Sequence, residues 1–178
     1  MTDIYLTDLT RSGTLFSRKG AQMMGLDESR KMIVGWLERN GRERDQLLPL
    51  LHDVQDEIGY IDDTLVPAIA AALNLSRADV HGVLTFYHDY RRQPAGRHIV
   101  KLCRAESCQA RGGATMEVAA SERLGVAMGE TRGDGQVTLE PVYCLGLCAI
   151  GPNALVDGRP VGRIDGAALD RIAAAVAA

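Results

Sequence analysis

Apolar positions in the first half of the chain recur with the 3.6-residue period of a helix, whereas those in the second half fall into short runs broken by glycine and proline. Met32, Ile33, Trp36 and Leu37 form one helical stripe behind Asp27, a predicted cap, and Asn40-Gly41 closes it. Leu47, Leu50, Leu51, Val54 and Ile58 form a second stripe that ends at Gly59. A third helix is predicted from about Thr64 to Leu73. A fourth, through Val80, Val83, Leu84 and Tyr87, follows the capping-box signature of Ser76-Arg77-Ala78-Asp79. Asp45 before Pro49 and Asp63 before Pro67 repeat one device: an acidic cap, then a proline in the first turn, where its missing N–H loses no intrahelical bond. Together these signals predict a helical bundle over residues 27–92.

Beyond residue 96 the pattern changes. Strands are predicted at residues 97–102 and 137–143, with a helix between them after Gly112-Gly113 that carries Met116, Val118, Ala119, Leu124 and Val126. Residues 154–162 read as a hairpin with a type I′ turn at Asp157-Gly158. A last helix begins at Asp165. This order of strand, helix, strand, hairpin and helix predicts a compact α/β layer like thioredoxin over residues 97–178. The fold class expected is α+β: a helical bundle followed by a thioredoxin-like α/β domain.

The chain's four cysteines fall in that second half, as Cys103-x4-Cys108 and Cys144-x3-Cys148 with 35 residues between the pairs. Each pair follows a predicted strand, so two strand-end loops each supply two sulfurs. A structural zinc site usually takes at least one tight C-x2-C turn, and thioredoxin-type redox dithiols need C-x-x-C; neither spacing occurs here. A 2Fe-2S cluster is wider than one ion and accepts two looser loops, which makes it the preferred reading while zinc and disulfides stay open. The run Cys144-Leu145-Gly146-Leu147-Cys148-Ala149-Ile150-Gly151-Pro152 holds no carboxylate. Its glycines allow backbone amides to approach an anionic cluster closely. Lys101, Arg104 and Arg111 would add positive charge there, although each alone reads more simply as a solvated surface residue.

Composition narrows the alternatives. The chain has 178 residues, 46% hydrophobic and 24% charged, which suits a globular chain with room for two small domains or one elaborated one. No apolar run is long enough for a bilayer span and no secretory signal core is visible, so the expected setting is cytoplasmic and reducing, without membrane insertion. Residues 1–26 mix Arg11, Arg18 and Lys19 with Ser, Thr and Gly, superficially like a transit sequence, but Asp3 and Asp8 weaken that likeness. They are expected to form a flexible arm that orders against a partner. The helical pair around residues 69–80 has a helix-turn-helix rhythm, which raises a cluster-containing DNA-binding regulator. Its second helix offers Arg77, Asp79, His81 and Gly82, and residues 1–96 carry 11 basic against 14 acidic side chains while residues 97–178 carry nine of each. Neither half forms a basic footprint, so no nucleic-acid partner is expected.

Phe86-Tyr87-His88-Asp89-Tyr90 holds three of the eight aromatics. Phe86 is expected to pack between the domains, and Tyr90 to contact a partner. His52, His81, His88 and His98 have no ligand-like spacing.

From Leu47 to the C-terminus the chain resembles the thioredoxin-like 2Fe-2S subunits of NADH-oxidising complexes. The residues that carry the likeness are Leu47-Leu48-Pro49, Gln55-Asp56-Glu57-Ile58-Gly59-Tyr60, Val80-His81-Gly82-Val83, Thr85-Phe86-Tyr87 and both cysteine pairs. It is similar to the E-type subunit of bacterial complex I. Through His81, His88, Pro94-Ala95-Gly96-Arg97-His98 and Cys103-Arg104-Ala105-Glu106-Ser107-Cys108, it resembles more closely the gamma subunit of molybdenum-dependent, NAD-dependent formate dehydrogenases. The resemblance implies that Cys103, Cys108, Cys144 and Cys148 bind one 2Fe-2S cluster in a non-catalytic electron-transfer subunit. It further implies a beta-type partner that holds FMN and NAD, and an alpha-type partner with a molybdenum cofactor and iron-sulfur clusters where formate is oxidised. The equivalent subunit of complex I or of an NAD-reducing hydrogenase is the alternative, with a zinc-stabilised adaptor as the alternative of another class. The chain has no glycine-rich dinucleotide loop, which agrees with this division of labour.

Overall fold

The computed structural model describes residues 25–177. The arm expected over residues 1–26 therefore lies outside the described residues except for its last two. The described chain divides between Pro94 and Ala95 into two compact units.

The first unit contains α1 (Leu26–Asn40), α2 (Leu47–Ile58), α3 (Val66–Ala72) and α4 (Arg77–Phe86). Their apolar stripes meet in one core that includes Ile33, Leu37, Leu50, Leu51, Ile69, Leu73 and Leu84. Gly59 ends α2 at φ +92°, the left-handed conformation that glycine adopts without steric cost. Ser76 and Asp79 form the reciprocal capping box: the Asp79 amide donates to Ser76 Oγ at 3.1 Å and the Ser76 amide to Asp79 Oδ2 at 3.0 Å. Ser76→Ala should lower the stability of this unit by about 1 kcal/mol, read as a shift of the urea midpoint at constant slope.

The other predicted caps are displaced. Asp27 lies inside the first turn of α1, with Gly25 at the cap position, so it complements the helix dipole instead of capping. Short 3₁₀ turns at Arg44–Gln46 and Asp63–Leu65 lead into α2 and α3, supplying i−3 carbonyls to amides that a side chain would otherwise serve. Asp62, not Asp63, is the acidic cap, accepting from the Thr64 amide at 2.8 Å. Asp63 turns to Arg92, whose Nε donates to it at 2.8 Å; that hydrogen bond holds the Asp63 carboxyl below its usual range.

The aromatic expectations are reversed. Phe86 is 73% exposed, whereas Tyr90 is 7% exposed and belongs to the helical core. The reason is a long-range strap. Gln55 in α2 donates from Nε2 to the Asp89 carbonyl at 2.8 Å and accepts from the Arg91 amide at 2.6 Å, which draws residues 89–91 back over the bundle. The buried ring then packs at 5.3 Å from the His52 ring.

The second unit is a four-stranded sheet of order β2-β1-β3-β4. β1 (His98–Cys103) pairs in parallel with β2 (Val137–Val142) and antiparallel with β3 (Ala154–Val156), which forms a hairpin with β4 (Arg159–Val161). A parallel neighbour needs a crossover, and the chain between β1 and β2 provides one through α5 (Glu106–Ala110) and α6 (Gly113–Leu124). α6 packs on α7 (Gly166–Val176), and the two helices join the sheet in a second core around Val100, Leu139, Leu124, Leu169 and Ile172. Val118, expected on the apolar face of α6, is exposed. The predicted I′ turn is present, with φ +49° at Asp157 and +80° at Gly158. Asp165 caps α7, accepting from the Ala168 amide at 2.8 Å. Among the described residues no helix is long and apolar enough to cross a membrane.

Candidate metal centre

The parallel pairing of β1 with β2 aligns Cys103 with Val142, so both strands finish at the same edge and their following loops start together. Cys103 is the last residue of β1 and Cys108 lies inside α5. Cys144 stands two residues beyond β2 at φ +63°, and Cys148 opens a 3₁₀ turn that ends at Ile150. All four cysteines are free. Exposure falls unevenly: Cys103 and Cys108 are buried, Cys148 is half-buried and Cys144 faces solvent.

The Cys144 and Cys148 sulfurs are 3.8 Å apart. Two thiolates on one tetrahedral metal with bonds of about 2.3 Å stand roughly 3.8 Å apart, so this pair is already spaced to share a metal. Cys103 and Cys108 lie close enough to influence each other's protonation. Among the described residues no set of three or more His, Cys, Asp or Glu side chains closes on a single ion. The two loops together supply four free thiols, an all-sulfur donor set of the kind that iron-sulfur centres use.

Backbone dipoles favour negative charge on Cys103. Burial pushes its thiol up, but hydrogen bonds from the Ala105 amide, the Cys108 thiol and the Cys144 and Leu145 amides outweigh burial and leave it below the ordinary value. Cys108 is pushed up, by burial first and then by Cys103, with the main-chain amide of Asn153 opposing. Two amides from the second loop therefore point at a sulfur of the first, the arrangement that an anionic sulfur-ligated centre needs.

The charged residues expected nearby are mostly engaged. Lys101 Nζ lies 3.5 Å from Glu140 Oε2, and Arg104 Nε lies 3.0 Å from Glu117 Oε2. Arg111 instead donates from Nη1 to the Ala149 carbonyl at 3.1 Å and so clamps the end of α5 to the second loop. Gly151 keeps the wall close: a Cβ there would sit 3.3 Å from the Cys108 sulfur. Gly113 is equally constrained, since its Cβ would meet the Cys108 carbonyl oxygen at 2.8 Å. Asn153, which sequence patterning does not single out, donates from Nδ2 to the Leu147 carbonyl at 2.8 Å and reaches the Cys108 sulfur at 3.6 Å. No local spacing signals that role, because Asn153 precedes β3 and lies 45 residues from Cys108.

Residues 33–177 match the family model described as thioredoxin-like 2Fe-2S ferredoxin. The chain is 39% identical over 117 residues to the E-type subunit of NADH-quinone oxidoreductase from Pseudomonas aeruginosa, covering 65% of this chain and 70% of that one. It is 39% identical over 104 residues to the corresponding NADH-quinone oxidoreductase chain of Escherichia coli strain K12, covering 58% of this chain and 63% of its relative. Among solved structures, an NAD+-reducing NiFe-hydrogenase in its H2-reduced state superposes with a TM-score of 0.65 at 22% identity, covering 76% of this chain and 23% of that one. That likeness establishes fold alone.

Proposed function

Because this chain belongs to the thioredoxin-like 2Fe-2S ferredoxin family, we propose that it is the electron-transfer subunit of an NAD(H)-linked oxidoreductase complex, with one 2Fe-2S cluster on Cys103, Cys108, Cys144 and Cys148. The observation that carries this reading is that the parallel strands β1 and β2 finish at one end of the sheet and deliver both cysteine-bearing loops there, with the Cys144 and Cys148 sulfurs 3.8 Å apart. When bound, the cluster accepts and returns one electron at a time, so that a two-electron hydride donor communicates with one-electron carriers. The residues of this chain shape that exchange. Cys103 and Cys108 anchor the dry side, the loop amides stabilise added negative charge, and the exposed Cys144 marks the face open to a redox partner.

The partners proposed are a flavin- and NAD-binding subunit and a further subunit carrying iron-sulfur clusters. The named relatives favour a complex of the NADH-quinone oxidoreductase type. A formate-linked complex, with molybdenum cofactor in the third subunit, rests on the likeness to the gamma subunit carried by His81, His88, the Pro94 to His98 run and the Cys103 to Cys108 run. In the assembled complex NADH should reduce this cluster in either case, whereas reduction by formate through the complex would single out the formate-linked form.

The first test is iron, sulfide and zinc content with visible absorption and low-temperature EPR, before and after dithionite, on chain purified without oxygen. Two irons and two sulfides per chain with a reduced-state signal are expected. Stoichiometric zinc in colourless protein would replace this reading with a structural adaptor.

A further inference from the structure

Asn153 is 2% exposed and stands directly before β3. Its main-chain carbonyl accepts from the Cys103 amide at 2.9 Å. Its side-chain Nδ2 donates to the Leu147 carbonyl at 2.8 Å and is directed at the Cys108 sulfur at 3.6 Å. One residue therefore touches the strand end that bears Cys103, the helix that bears Cys108 and the loop between Cys144 and Cys148. The amide orientation follows from its partners: a carbonyl only accepts, so the NH2 group must face Leu147 and the sulfur. Oδ1 is consequently left on the other side, buried and without a hydrogen-bond partner. A buried acceptor left unpaired is unfavourable, so this side chain is a poor choice for packing alone and a good one for delivering two N–H bonds.

We propose that Asn153 is a positioning residue that holds the two cysteine loops together and, through Nδ2, favours negative charge on the Cys108 sulfur. The inference rests on the cluster reading above. Reduction makes a four-thiolate centre more negative, so a donor aimed at a ligand sulfur stabilises the reduced form and raises the potential. Gly151 keeps the second loop close to this contact, since a Cβ there would lie 3.3 Å from the Cys108 sulfur.

Asn153→Leu keeps similar bulk while removing both side-chain N–H bonds and the unpaired oxygen; the main-chain amide that acts on Cys108 and the main-chain carbonyl that serves Cys103 remain in parent and variant alike. EPR-monitored redox titration of the full chain, parent and variant loaded alike, should show a midpoint moved negative. At a fixed potential the ratio of reduced to oxidised cluster should fall about tenfold, which is about 59 mV for a one-electron couple. The sign separates the proposal from mere loosening, because admitting water to the cluster would favour the more charged reduced state and move the midpoint positive. A loaded variant with an unchanged or more positive midpoint overturns the proposal. Should Asn153→Leu not load, Asn153→Ala is titrated by the same criterion. Both variants folded by circular dichroism yet unable to load, beside a loaded parent, would uphold the positioning role. A parent chain that takes up no iron and sulfide overturns the cluster reading itself and is thereby a distinct result.

Discussion

Cys108→Ala should give a chain that folds and carries neither iron nor sulfide. Cys108 is 1% exposed, so neither water nor an added thiol reaches the vacated position. The Gly151 backbone and the Asn153 side chain beside it supply no replacement thiolate, and the neighbouring Cys103 and Cys148 are themselves proposed ligands. The fold should tolerate the change, because alanine has high helix propensity and the Cys108 amide keeps its bond to the Ala105 carbonyl at 2.9 Å. Cys144→Ser provides the contrast. Its sulfur faces solvent, where a hydroxyl or water can complete a coordination sphere, so partial retention is expected. Iron and sulfide assays with the visible spectrum decide the matter, and full retention of both in Cys108→Ala would remove Cys108 from the ligand set. Zinc is read in the same samples, since the three remaining thiolates can still hold a single zinc ion but leave one iron of a binuclear cluster short of a ligand.

Features built from neighbouring residues were legible in the sequence. Ser76 and Asp79, Gly59 after α2 and Asp157-Gly158 all act within a few residues and perform the predicted task, and the last helix starts where expected, with Asp165 as its cap. Asp62 and Asp63 show the limit of local reading. Both are acidic and both precede Pro67, but the distant Arg92 draws Asp63 away and leaves the cap to Asp62. Tyr90 shows the same limit at greater range, since its burial follows a chain reversal held by Gln55 some 35 residues earlier, to which aromatic clustering gives no clue. At the cysteines, the spacing announced two strand-end loops. It said nothing of their unequal exposure or of Asn153, because those depend on the antiparallel pairing that sets β3 beside β1.

Leu51→Ala should destabilise the helical unit by about 2–5 kcal/mol while leaving the visible spectrum of a bound cluster intact. Leu51 is fully buried in the middle of α2, and alanine is the better intrinsic helix former, so the loss comes from packing and the cavity left behind. At roughly 0.05–0.15 kcal/mol per residue, a unit of about 70 residues holds about 4–10 kcal/mol, so this one substitution removes a large share. All four proposed ligands lie in the other unit, beyond Ala95, and depend on packing around Val100, Leu139 and Ile172 instead. Urea unfolding followed in parallel by far-ultraviolet circular dichroism and by visible absorption separates the two responses. An early helical transition with the colour retained means that the division at Pro94 is energetic as well as geometric. Loss of helix and colour at one lowered midpoint would mean that the bundle and the sulfur-bearing sheet unfold as a single cooperative structure, so that damage in α2 is felt at the metal centre.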